Sequence, residues 1–515
     1  MYLSKKDYML ACRCEKALWL KKEKYHPEPA NEDKSKSSNI FWNQVLDLAR
    51  KRYPSGIFAS SDDNYIDIIE NCRKTRSLSE NNEVLFNAWA ELENGAHSKV
   101  DILERNGKHW NLIKITQKGS LIEGKGLKSA IRSIVLPELA FTRYVFENAG
   151  YSIDKCYVLH LNGEYVRSGD IDIQKLFILS DLSDEVAEFY QSVSDNIDRY
   201  LKIATMDTIP DVLFHKECRA CKKWNKESCP YIDRCGQDIP EYSIFDLLSR
   251  SGEKADKIYA KYKTANIEDI PEDELELSDT QKIDRDTYLN KSTHVDKDKI
   301  AEWLSSVEYP VYYLDYETIN PAIPQFDGSK PHQQIPFQFS LHVQREKGAE
   351  CEHIGFLHKS PSDPRKAFAE RLIENCGNKG SVVVYTKAEK TWNEALAKYF
   401  ESIDCKDIAK KILAINERIK DLEEPFKERY LYSYKQNGSS SIKKVLPAFA
   451  DLSYDGMNIS DGMEASSAYL KFLLRQQTKE ESSKMFSDLE KYCRQDTYAM
   501  VLLMRELYRY AEQDS

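Results

Sequence analysis

Short apolar runs with the length of β-strands alternate along the chain with longer stretches in which apolar residues recur at helical spacing. In the first 240 residues, an Asn106-Gly107 turn separates two strand-like runs, as in a β-hairpin. Strand pairs beside helices are typical of an α/β or α+β domain. The predicted strands span residues 100–103, 110–115 and 155–161, and the predicted helices span residues 8–20, 41–52 and 136–147.

The rest of the chain divides into an acidic stretch and a second α/β region. Residues 241–299 contain the sequence IEDIPEDELELSD and few large apolar runs, which favours an acidic helical connector. The pattern therefore predicts three parts, at 1–240, 241–299 and 300–515. The third part has predicted strands at 309–316, 335–343, 351–357 and 382–385, and predicted helices at 390–400, 407–422 and 484–511.

The composition is that of a folded protein without a strongly basic surface. Of the 515 residues, 41% are hydrophobic and 31% are charged, which is enough apolar material to form cores. The 74 Lys and Arg residues and the 84 Asp and Glu residues leave a net charge of −10. This balance argues against a protein that coats nucleic acid by bulk charge, but it is compatible with a nuclease whose active site is acidic.

The sequence carries no membrane or export signal. No stretch approaches the roughly 18 consecutive apolar residues that a membrane helix needs. The segment Met1–Tyr8 includes Lys5, Lys6 and Asp7 and has no apolar core of a signal peptide. We therefore expect a cytoplasmic protein without a membrane partner.

Cysteines are concentrated in one short stretch of the chain. Four of the twelve lie in CRACKKWNKESCPYIDRC, which also contains several lysines and arginines. Because this stretch is too polar for a buried core, and because closely spaced thiolates can converge on one soft metal ion, we expect a metal site. Spacing alone does not separate zinc from an iron–sulfur cluster. The four cysteines are Cys218, Cys221, Cys229 and Cys235.

Acidic residues form the strongest catalytic pattern, in the third part of the chain. In VYYLDYETIN, Asp315 and Glu317 lie two apart on an apolar strand, so both project from one face. Glu389 follows the strand of VVVYTKAEKT at the start of a helix, and Tyr492 and Asp496 lie four apart on one helical face. Adjacent carboxylates repel unless a cation lies between them, and carboxylate oxygens suit Mg²⁺ or Mn²⁺.

This order of motifs resembles the DnaQ-like, DEDD-type 3′–5′ exonucleases of the RNase H-like fold. The resemblance implies that four acids hold two Mg²⁺ or Mn²⁺ ions for phosphodiester hydrolysis and that a tyrosine orients the attacking water. Where that family usually has an aspartate in its second motif, this chain has Glu389. The implied metal ligands are Asp315, Glu317, Glu389 and Asp496, and the implied water-positioning residue is Tyr492.

A closer resemblance covers nearly the whole chain. It rests on LSKKDYMLACRCEKALWL, DYETINPAIPQFDGSKPHQQIPFQFSLH, SSSIKKVLPAFADLSY and YCRQDTYAM. These segments resemble an uncharacterised bacterial domain-of-unknown-function family that joins a RecB-like half to a DnaQ-like half. The implied fold class is α/β, with a PD-(D/E)XK nuclease-like domain followed by an RNase H-like domain.

The first part resembles the RecB-like PD-(D/E)XK nucleases that carry an iron–sulfur cluster. In those proteins, one N-terminal and three C-terminal cysteines hold a 4Fe–4S cluster, and structural Zn²⁺ is the alternative here. Cys12 is then a bystander. The implied ligands are Cys14, Cys229, Cys235, and either Cys221 or Cys218.

The nuclease motif of this first part departs from the family pattern. Asp101 fits the expected aspartate, but Lys114 and Thr116 stand where Glu-x-Lys is expected on the next strand. A cation at a ligand position opposes metal binding, and we expect Lys114 to pair with Asp101 instead. The chemistry of this half is therefore predicted to be lost, leaving a nucleic-acid-binding or structural role.

Two further positions bear on that assignment. The helix that should offer a glutamine before a tyrosine has Thr142 and Tyr144. A strand alignment shifted by two residues would instead bring Glu104 or Lys118 into the motif.

Three functions remain open from the sequence. The first is a metal-dependent exonuclease acting through the third part, with DNA favoured over RNA as partner. The second is a non-catalytic nucleic-acid-binding scaffold in which both halves are degenerate. The third is a resecting nuclease driven by the first part, which Lys114 and Thr116 argue against.

Overall fold

The chain forms two compact units, each of mixed α/β structure, in a computed structural model. The first unit comprises Met1–Leu213, Asn225–Asp233 and Pro321–His332, and the second comprises Phe214–Trp224, Arg234–Asn320 and Gln333–Ser515. The residues that the structure describes are 2–23, 42–60, 67–119, 121–123, 126–216, 218–219, 229–248, 253–454 and 456–512.

The first unit is built on a mixed β-sheet. Its strands are β1 (Leu3–Ser4), β2 (Ile57–Phe58), β3 (Val84–Glu91), β4 (Ala96–Asn106), β5 (His109–Thr116), β6 (Ile122–Glu123), β7 (Gly126–Leu127), β8 (Ile153–Leu161) and β9 (Phe177–Asp181). Seven of them form one sheet in the order β2-β3-β4-β5-β8-β9, with β1 paired to β4. The predicted β4–β5 hairpin is confirmed, but its turn is Gly107-Lys108, one residue later than predicted, because Asn106 pairs with His109. Gly107 takes the positive φ of +61° that this tight turn requires.

The first predicted helix is broken at Cys14. Cys14 has extended backbone angles, φ −161° and ψ 111°, so one helix ends before it and another begins after it. Both helices bury apolar residues, which explains why the periodicity in the sequence continues across the break. The helices of this unit are Lys5–Arg13, Glu15–Lys22, 42–50, Ile68–Ser79, Leu136–Asn148 after the π-helical turn Ile131–Val135, Ile173–Leu176, Ser183–Tyr190 and Val193–Ile203, and Ile232–Cys235 follows at the unit boundary.

A five-stranded sheet lies at the centre of the second unit. The strands of this unit are β10 (Thr293–Val295), β11 (Val311–Ile319), β12 (Ile335–Gln344), β13 (Glu352–Leu357), β14 (Val382–Val384), β15 (Ile419–Asp421) and β16 (Leu431–Ser433). The sheet order is β13-β12-β11-β14-β15, and β10 pairs separately with β16. Strands β11, β14 and β15 are mutually parallel, whereas β12 is antiparallel to both of its neighbours.

One predicted helix of the second unit was too long. The helix predicted at 407–422 ends at Asn416, and its last residues form β15, because Val384 and Asp421 pair in the parallel ladder.

Residues 241–299, predicted as a connector, lie within this unit. Among the described residues, no helix combines the length and apolar character needed to cross a membrane. The helices are Ile244–Leu247, Lys254–Tyr262, Glu272–Leu275, Asp279–Asn290, Lys297–Ser305, Arg365–Asn375, Ala388–Ser402, Lys406–Asn416, Glu424–Lys427, Ile442–Phe449, Gly462–Leu473 and Lys479–Glu512.

Alternation along β11 decides which side chains meet the last helix, Lys479–Glu512, called here the long helix. Tyr313 packs in a core that includes Met500 and Leu503 of the long helix. Leu314 instead packs on the opposite face of the sheet, against Phe368 and other residues of different helices. Because side chains alternate along a strand, the odd-numbered Asp315 and Glu317 continue the face that the long helix covers.

Candidate metal centre

Asp315 and Glu317 lie side by side on β11, facing the long helix. In the antiparallel ladder Asp315 is opposite Ser340, and Glu317 is opposite Gln338, immediately before a register shift. Oxygens of both carboxylates and the Cys493 sulfur lie within 4.8 Å of one another, and within the described ranges these residues form the one such set of three or more possible metal ligands. The two acids predicted on one strand, Asp315 and Glu317, therefore form the centre of the candidate site.

The long helix contributes Cys493 to this set, and its Asp496 lies close enough for its charge to act on Asp315 and Glu317. The Cys493 thiol donates to Asp315 Oδ2, with the sulfur 3.5 Å from the oxygen. The Tyr454 hydroxyl donates to Asp496 Oδ1 at 2.6 Å. Burial, together with the nearby charges of Asp496, Glu317 and Asp315, raises the pKa of Tyr492, which therefore keeps its proton.

Glu389 lies in the first turn of the helix Ala388–Ser402, which follows β14. The residue is only 2% exposed, and its Oε2 atom has no hydrogen-bond partner in the described structure. Burial, with a contribution from the charge of Asp421, raises the pKa of Glu389 to about 8. A buried carboxylate oxygen without a partner is unfavourable unless a proton or a cation accompanies it.

The four predicted acids interact electrostatically. Burial and then the charges of Asp496, Glu317 and Glu389 raise the pKa of Asp315 well above its usual range. Burial and the charge of Asp496 do the same for Glu317. Burial raises the pKa of Asp496 to about 6, although its hydrogen bond from Tyr454 opposes the change. Mutual repulsion of this kind is what a bound cation relieves.

Lys443, on the helix Ile442–Phe449, brings a positive charge close to these acids. Its charge lowers the pKa of both Glu317 and Asp496. Its Nζ atom lies 5.7 Å from the centre of the Tyr454 ring and 5.9 Å from that of Tyr492. Nζ also donates to the carbonyl of Ser460, which fixes the position of the side chain.

Asp421 organises the turn that carries Glu389. It pairs with Val384 in the parallel ladder of β14 and β15, and its Oδ1 accepts hydrogen bonds from the backbone N–H of Thr386 at 3.1 Å and of Glu423 at 3.0 Å. Thr386 has a φ of +77°, a conformation that costs energy in a β-branched residue and needs such support. Asp421 is thus a positioning residue for Glu389.

Sequence reasoning missed four residues around this cluster. Cys493 lies inside the quoted motif YCRQDTYAM, and its position one residue after Tyr492 was the available signal. Lys443 lies in the quoted SSSIKKVLPAFADLSY, yet nothing local distinguishes it from its neighbour. The missed residues are Tyr454, Lys443, Asp421 and Cys493.

The chemistry of these side chains fits a hard divalent cation. Carboxylate oxygens are the ligands that Mg²⁺ and Mn²⁺ prefer, and Glu389 Oε2 has no other partner in the described structure. The thiol does not suit such an ion. Burial raises the pKa of Cys493 well above its usual range, so it remains a thiol that donates to Asp315 rather than a thiolate ligand. Asp315, Glu317, Glu389 and Asp496 are the residues that would hold the metal.

Lys114 of the first unit pairs with Glu138, not with Asp101 as the sequence suggested. Its Nζ atom lies 2.7 Å from Glu138 Oε1, and Lys5 Nζ lies 2.8 Å from the same oxygen. Asp101 is directed to the backbone, where its Oδ2 accepts the N–H of Ile115 at 2.8 Å. Helix packing brings Glu138 over β5, a relationship that strand spacing does not reveal. The two side chains at the expected ligand positions, Asp101 and Lys114, are thus both engaged in interactions within the unit.

The other residues considered for this half also have internal partners. Thr142 is buried and its hydroxyl hydrogen-bonds Ser98 at 2.8 Å. The Tyr144 hydroxyl donates to Ser194 at 3.0 Å, and Glu104 accepts from Asn111 at 3.2 Å. Thr116 accepts from the backbone of Lys118 at 3.4 Å. The shifted alignment through Glu104 or Lys118 therefore gains no geometric support.

The predicted cysteine ligands are distributed over both units. Cys14 and Cys229 belong to the first unit, whereas Cys218 and Cys235 belong to the second. Cys12, the predicted bystander, accepts a hydrogen bond from the Tyr200 hydroxyl at 3.6 Å. Cys221 lies outside the described residues. The four-thiolate site, with iron–sulfur or zinc, stays a prediction.

Comparison with known proteins finds a similarity that covers part of the candidate site. Residues 312–441 match the model described as "Domain of unknown function (DUF2779)", a span that includes Asp315, Glu317, Glu389 and Asp421. The uncharacterized protein MG366 of Mycoplasma genitalium is 30% identical over 209 residues, which cover 37% of this chain and 31% of that protein. Its Mycoplasma pneumoniae homologue is 28% identical over 218 residues, which cover 39% and 32%. The match thus spans about a third of these curated relatives. No solved structure matches the chain significantly.

Proposed function

We propose that this chain is a metal-dependent nuclease, an exonuclease of 3′–5′ polarity that hydrolyses phosphodiester bonds through the second unit. The observation that carries the proposal is the pair of buried carboxylates of Asp315 and Glu317, whose oxygens lie within 4.8 Å of each other, with the charges of Glu389 and Asp496 close enough to act on Asp315. Three separate segments of chain supply these acids: a strand, the first turn of a helix, and the long helix. A cluster of unneutralised buried acids is costly to fold and is typical of a functional site.

The sheet of the second unit supports the proposed RNase H-like, DnaQ-like character. Its order is β13-β12-β11-β14-β15, and only β12 runs opposite to the other four strands. Renumbered within the sheet, this order is 3-2-1-4-5. The acids Asp315 and Glu317 lie on the central strand of that sheet, and Glu389 follows its parallel neighbour β14.

When bound, a pair of divalent ions would supply an activated water and neutralise charge on the phosphate. The chain's own residues would orient the reactants. The protonated Tyr492 hydroxyl would position the attacking water, and Tyr454 would hold the Asp496 carboxylate in one orientation through its 2.6 Å hydrogen bond. Lys443 would attract the substrate phosphate, because its charge is close enough to act on Glu317 and Asp496.

For the first unit we propose a RecB-like, PD-(D/E)XK-like part that holds nucleic acid or supports the fold without cleaving. The support is that Lys114 forms an ion pair with Glu138 and that Asp101 accepts a hydrogen bond from the backbone N–H of Ile115. A Mg²⁺ site needs at least two oxygen ligands from the protein in such a setting, and here one position holds an ammonium group. Nucleic acid, with DNA favoured over RNA, is the proposed partner.

The decisive experiment compares matched variants in the two units. Asp315→Asn and Asp101→Asn would be assayed against wild type on single- and double-stranded DNA and RNA, labelled at the 3′ or the 5′ end, with Mg²⁺ or Mn²⁺. We expect Asp315→Asn to abolish hydrolysis and Asp101→Asn to leave it unchanged. The reverse pattern would assign catalysis to the first unit. Wild-type protein inactive on every substrate with either ion would favour a binding scaffold over an enzyme.

A further inference from the structure

Strand β12 carries two buried glutamines, and only one of them has hydrogen-bond partners at both ends of its amide. Gln344 is 5% exposed, its Nε2 donates to the carbonyl of Ala349 at 2.9 Å, and its Oε1 accepts from the Tyr313 hydroxyl at 3.1 Å. Gln338 is 2% exposed, and its Nε2 donates to the carbonyl of Leu489 at 2.8 Å. The Oε1 atom of Gln338 is buried and has no hydrogen-bond partner among the described residues.

The orientation of the Gln338 amide follows from its partner on the long helix. A backbone carbonyl can only accept a hydrogen bond, so the amide atom that faces the Leu489 carbonyl is the nitrogen. The other amide atom is therefore the oxygen, which can only accept. A buried acceptor without a donor is unfavourable, because it has lost its hydrogen bonds to water. A donor or a cation beside the oxygen would offset this cost.

Gln338 lies directly opposite Glu317 in the antiparallel pairing of β11 and β12. Opposed residues of such a pair project from the same face of the sheet, with Cβ atoms about 4.5–5.5 Å apart. The hydrogen bond from Gln338 to Leu489 shows that this face is the one that the long helix covers. Gln338 is thus a neighbour of the Glu317 carboxylate, and an ionised carboxylate has no hydrogen to donate to the amide oxygen.

The residue opposite the other strand acid has no comparable oxygen. Ser340 lies opposite Asp315. Its hydroxyl is hydrogen-bonded to Thr497 Oγ1 at 2.7 Å and to His353 Nε2 at 3.0 Å. The unpartnered oxygen is therefore on the Glu317 side of the pair of acids. Amide oxygens suit hard divalent cations as carboxylates do, and an amide adds an oxygen without adding to the repulsion among the acids.

We propose that Gln338 Oε1 is an additional, uncharged oxygen ligand of the divalent cation beside Glu317. The inference rests on the proposed function and deepens it, because it adds a neutral ligand to the four acids of the metal centre. The Leu489 carbonyl is then the group that orients this ligand, since it holds the amide nitrogen and so fixes where the oxygen is presented. Hydrogen bonds from neighbouring groups orient metal ligands in this way in general.

Calorimetric titration of the metal-free full chain with Mn²⁺ tests this role without any hydrolysis. Gln338→Met keeps an unbranched side chain of similar length but removes both amide atoms, and we expect it to weaken Mn²⁺ binding at least about tenfold. Gln338→Glu also loses the donor to Leu489, yet it keeps an oxygen at the ligand position and adds charge, so it should bind Mn²⁺ at least as tightly as wild type. If Gln338 only held the long helix to β12, both substitutions would weaken binding alike, and that result would overturn the proposal.

Two further variants separate this inference from the rest of the site. Gln344→Met removes the other buried glutamine of β12 with both of its hydrogen bonds, so it should lower the Tm in EDTA but leave the Mn²⁺ affinity unchanged. Asp315→Asn should lose Mn²⁺ binding.

Each outcome of the titrations has a distinct meaning. Wild-type affinity in Gln338→Met, with binding lost in Asp315→Asn, would overturn the proposed role of Gln338 and leave the metal centre in place. Wild-type protein that binds no Mn²⁺ would overturn the metal centre itself, and this inference with it. If Gln338→Met does not fold, Gln338→Glu decides alone, and binding weaker than that of wild type would overturn the proposal.

Discussion

The hydroxyl of Tyr454 donates a 2.6 Å hydrogen bond to the Asp496 carboxylate, across 42 residues of chain. Asp496 stands on the long helix, whereas Tyr454 lies between two other helices. The bond leaves one carboxylate oxygen of Asp496 engaged and so defines the direction in which the other is presented. Such support from a neighbouring residue orients the ligands of metal sites in general.

Removing that hydroxyl should impair catalysis more than folding. We expect Tyr454→Phe to lower kcat by roughly tenfold or more, because Asp496 loses the group that holds its orientation. The free energy of unfolding should change by only about 1–2 kcal/mol, as for one hydrogen bond to a charged group. The control is Tyr498→Phe, at a 40% exposed tyrosine of the long helix that carries Asp496, and it should leave kcat unchanged. Equal kcat values in both variants would remove Tyr454 from the site.

Lys443 and Lys444 are adjacent lysines with different surroundings. Lys443 influences Glu317 and Asp496, whereas Lys444 pairs with Glu241 at 3.4 Å where both side chains are at least half exposed. We expect Lys443→Gln to raise KM for a DNA substrate several-fold and to weaken the dependence of KM on salt, because one phosphate contact is lost. Lys444→Gln should behave as wild type. Steady-state kinetics at two salt concentrations would measure both, and similar effects of the two substitutions would contradict a specific role for Lys443.

Asp315 should destabilise the protein when no metal is bound. Its carboxylate lies close to that of Glu317 and is repelled by the charge of Asp496. Asp315→Asn therefore removes repulsion between these carboxylates. We expect the Tm in EDTA to rise by about 2–4 °C, which corresponds to roughly 1 kcal/mol in a large domain. Addition of Mn²⁺ should raise the Tm of wild type but not that of the variant. Asp407→Asn, at a carboxylate 77% exposed, is the control. An unchanged Mn²⁺ response in Asp315→Asn would count against the metal centre.

Glu138 links the stability of the first unit to pH. Burial opposes its charge, yet Lys5 and Lys114 lower its pKa from 4.5 to about 2. Because the folded-state pKa is the lower one, the stabilisation is fully present above pH 4.5 and is lost as the pH falls toward 2. The difference in unfolding free energy between wild type and Glu138→Gln should therefore be large at pH 7 and shrink below pH about 4.5.

Denaturant titrations at several pH values would measure this difference. The matched control is Glu188→Gln, whose partner Arg132 lies at 3.2 Å with both side chains more than half exposed. A surface pair of that kind contributes little, so its substitution should cost less than about 1 kcal/mol at any pH. A difference for Glu138→Gln that stays constant from pH 7 to pH 3 would show that its ion pairs do not control the stability.

The predicted cysteine site can be examined by metal analysis. Protein purified without air should be brown and contain iron, and Cys229→Ser should reduce both the iron content and the soluble yield more than the specific activity, because the role of the metal would be structural. Cys72→Ser, at a half-buried cysteine outside the cluster, is the control. A colourless protein with stoichiometric zinc would replace the iron–sulfur assignment with a structural zinc site.

Most strands and helices follow from local patterns, and the exceptions have local causes. The β4–β5 hairpin was recognisable because Asn106-Gly107 is a strong turn signal. The break at Cys14 and the short strand β15 were not, because the apolar periodicity runs through both places. In each case tertiary packing, against the rest of the unit or against β14, overrides what the isolated segment favours.

Within the candidate site, the sequence alone determined the relationships that a single element controls. Asp315 and Glu317 share a face because a strand alternates, and Tyr492 and Asp496 share a face because a helix repeats about every four residues. Only the tertiary structure decided that these faces oppose each other, that Tyr454 and Lys443 complete the cluster, and that Lys114 pairs with Glu138 rather than Asp101. The physical reason is that local periodicity specifies where a side chain points along its own element, whereas its partner depends on which distant element the packing of the core brings beside it.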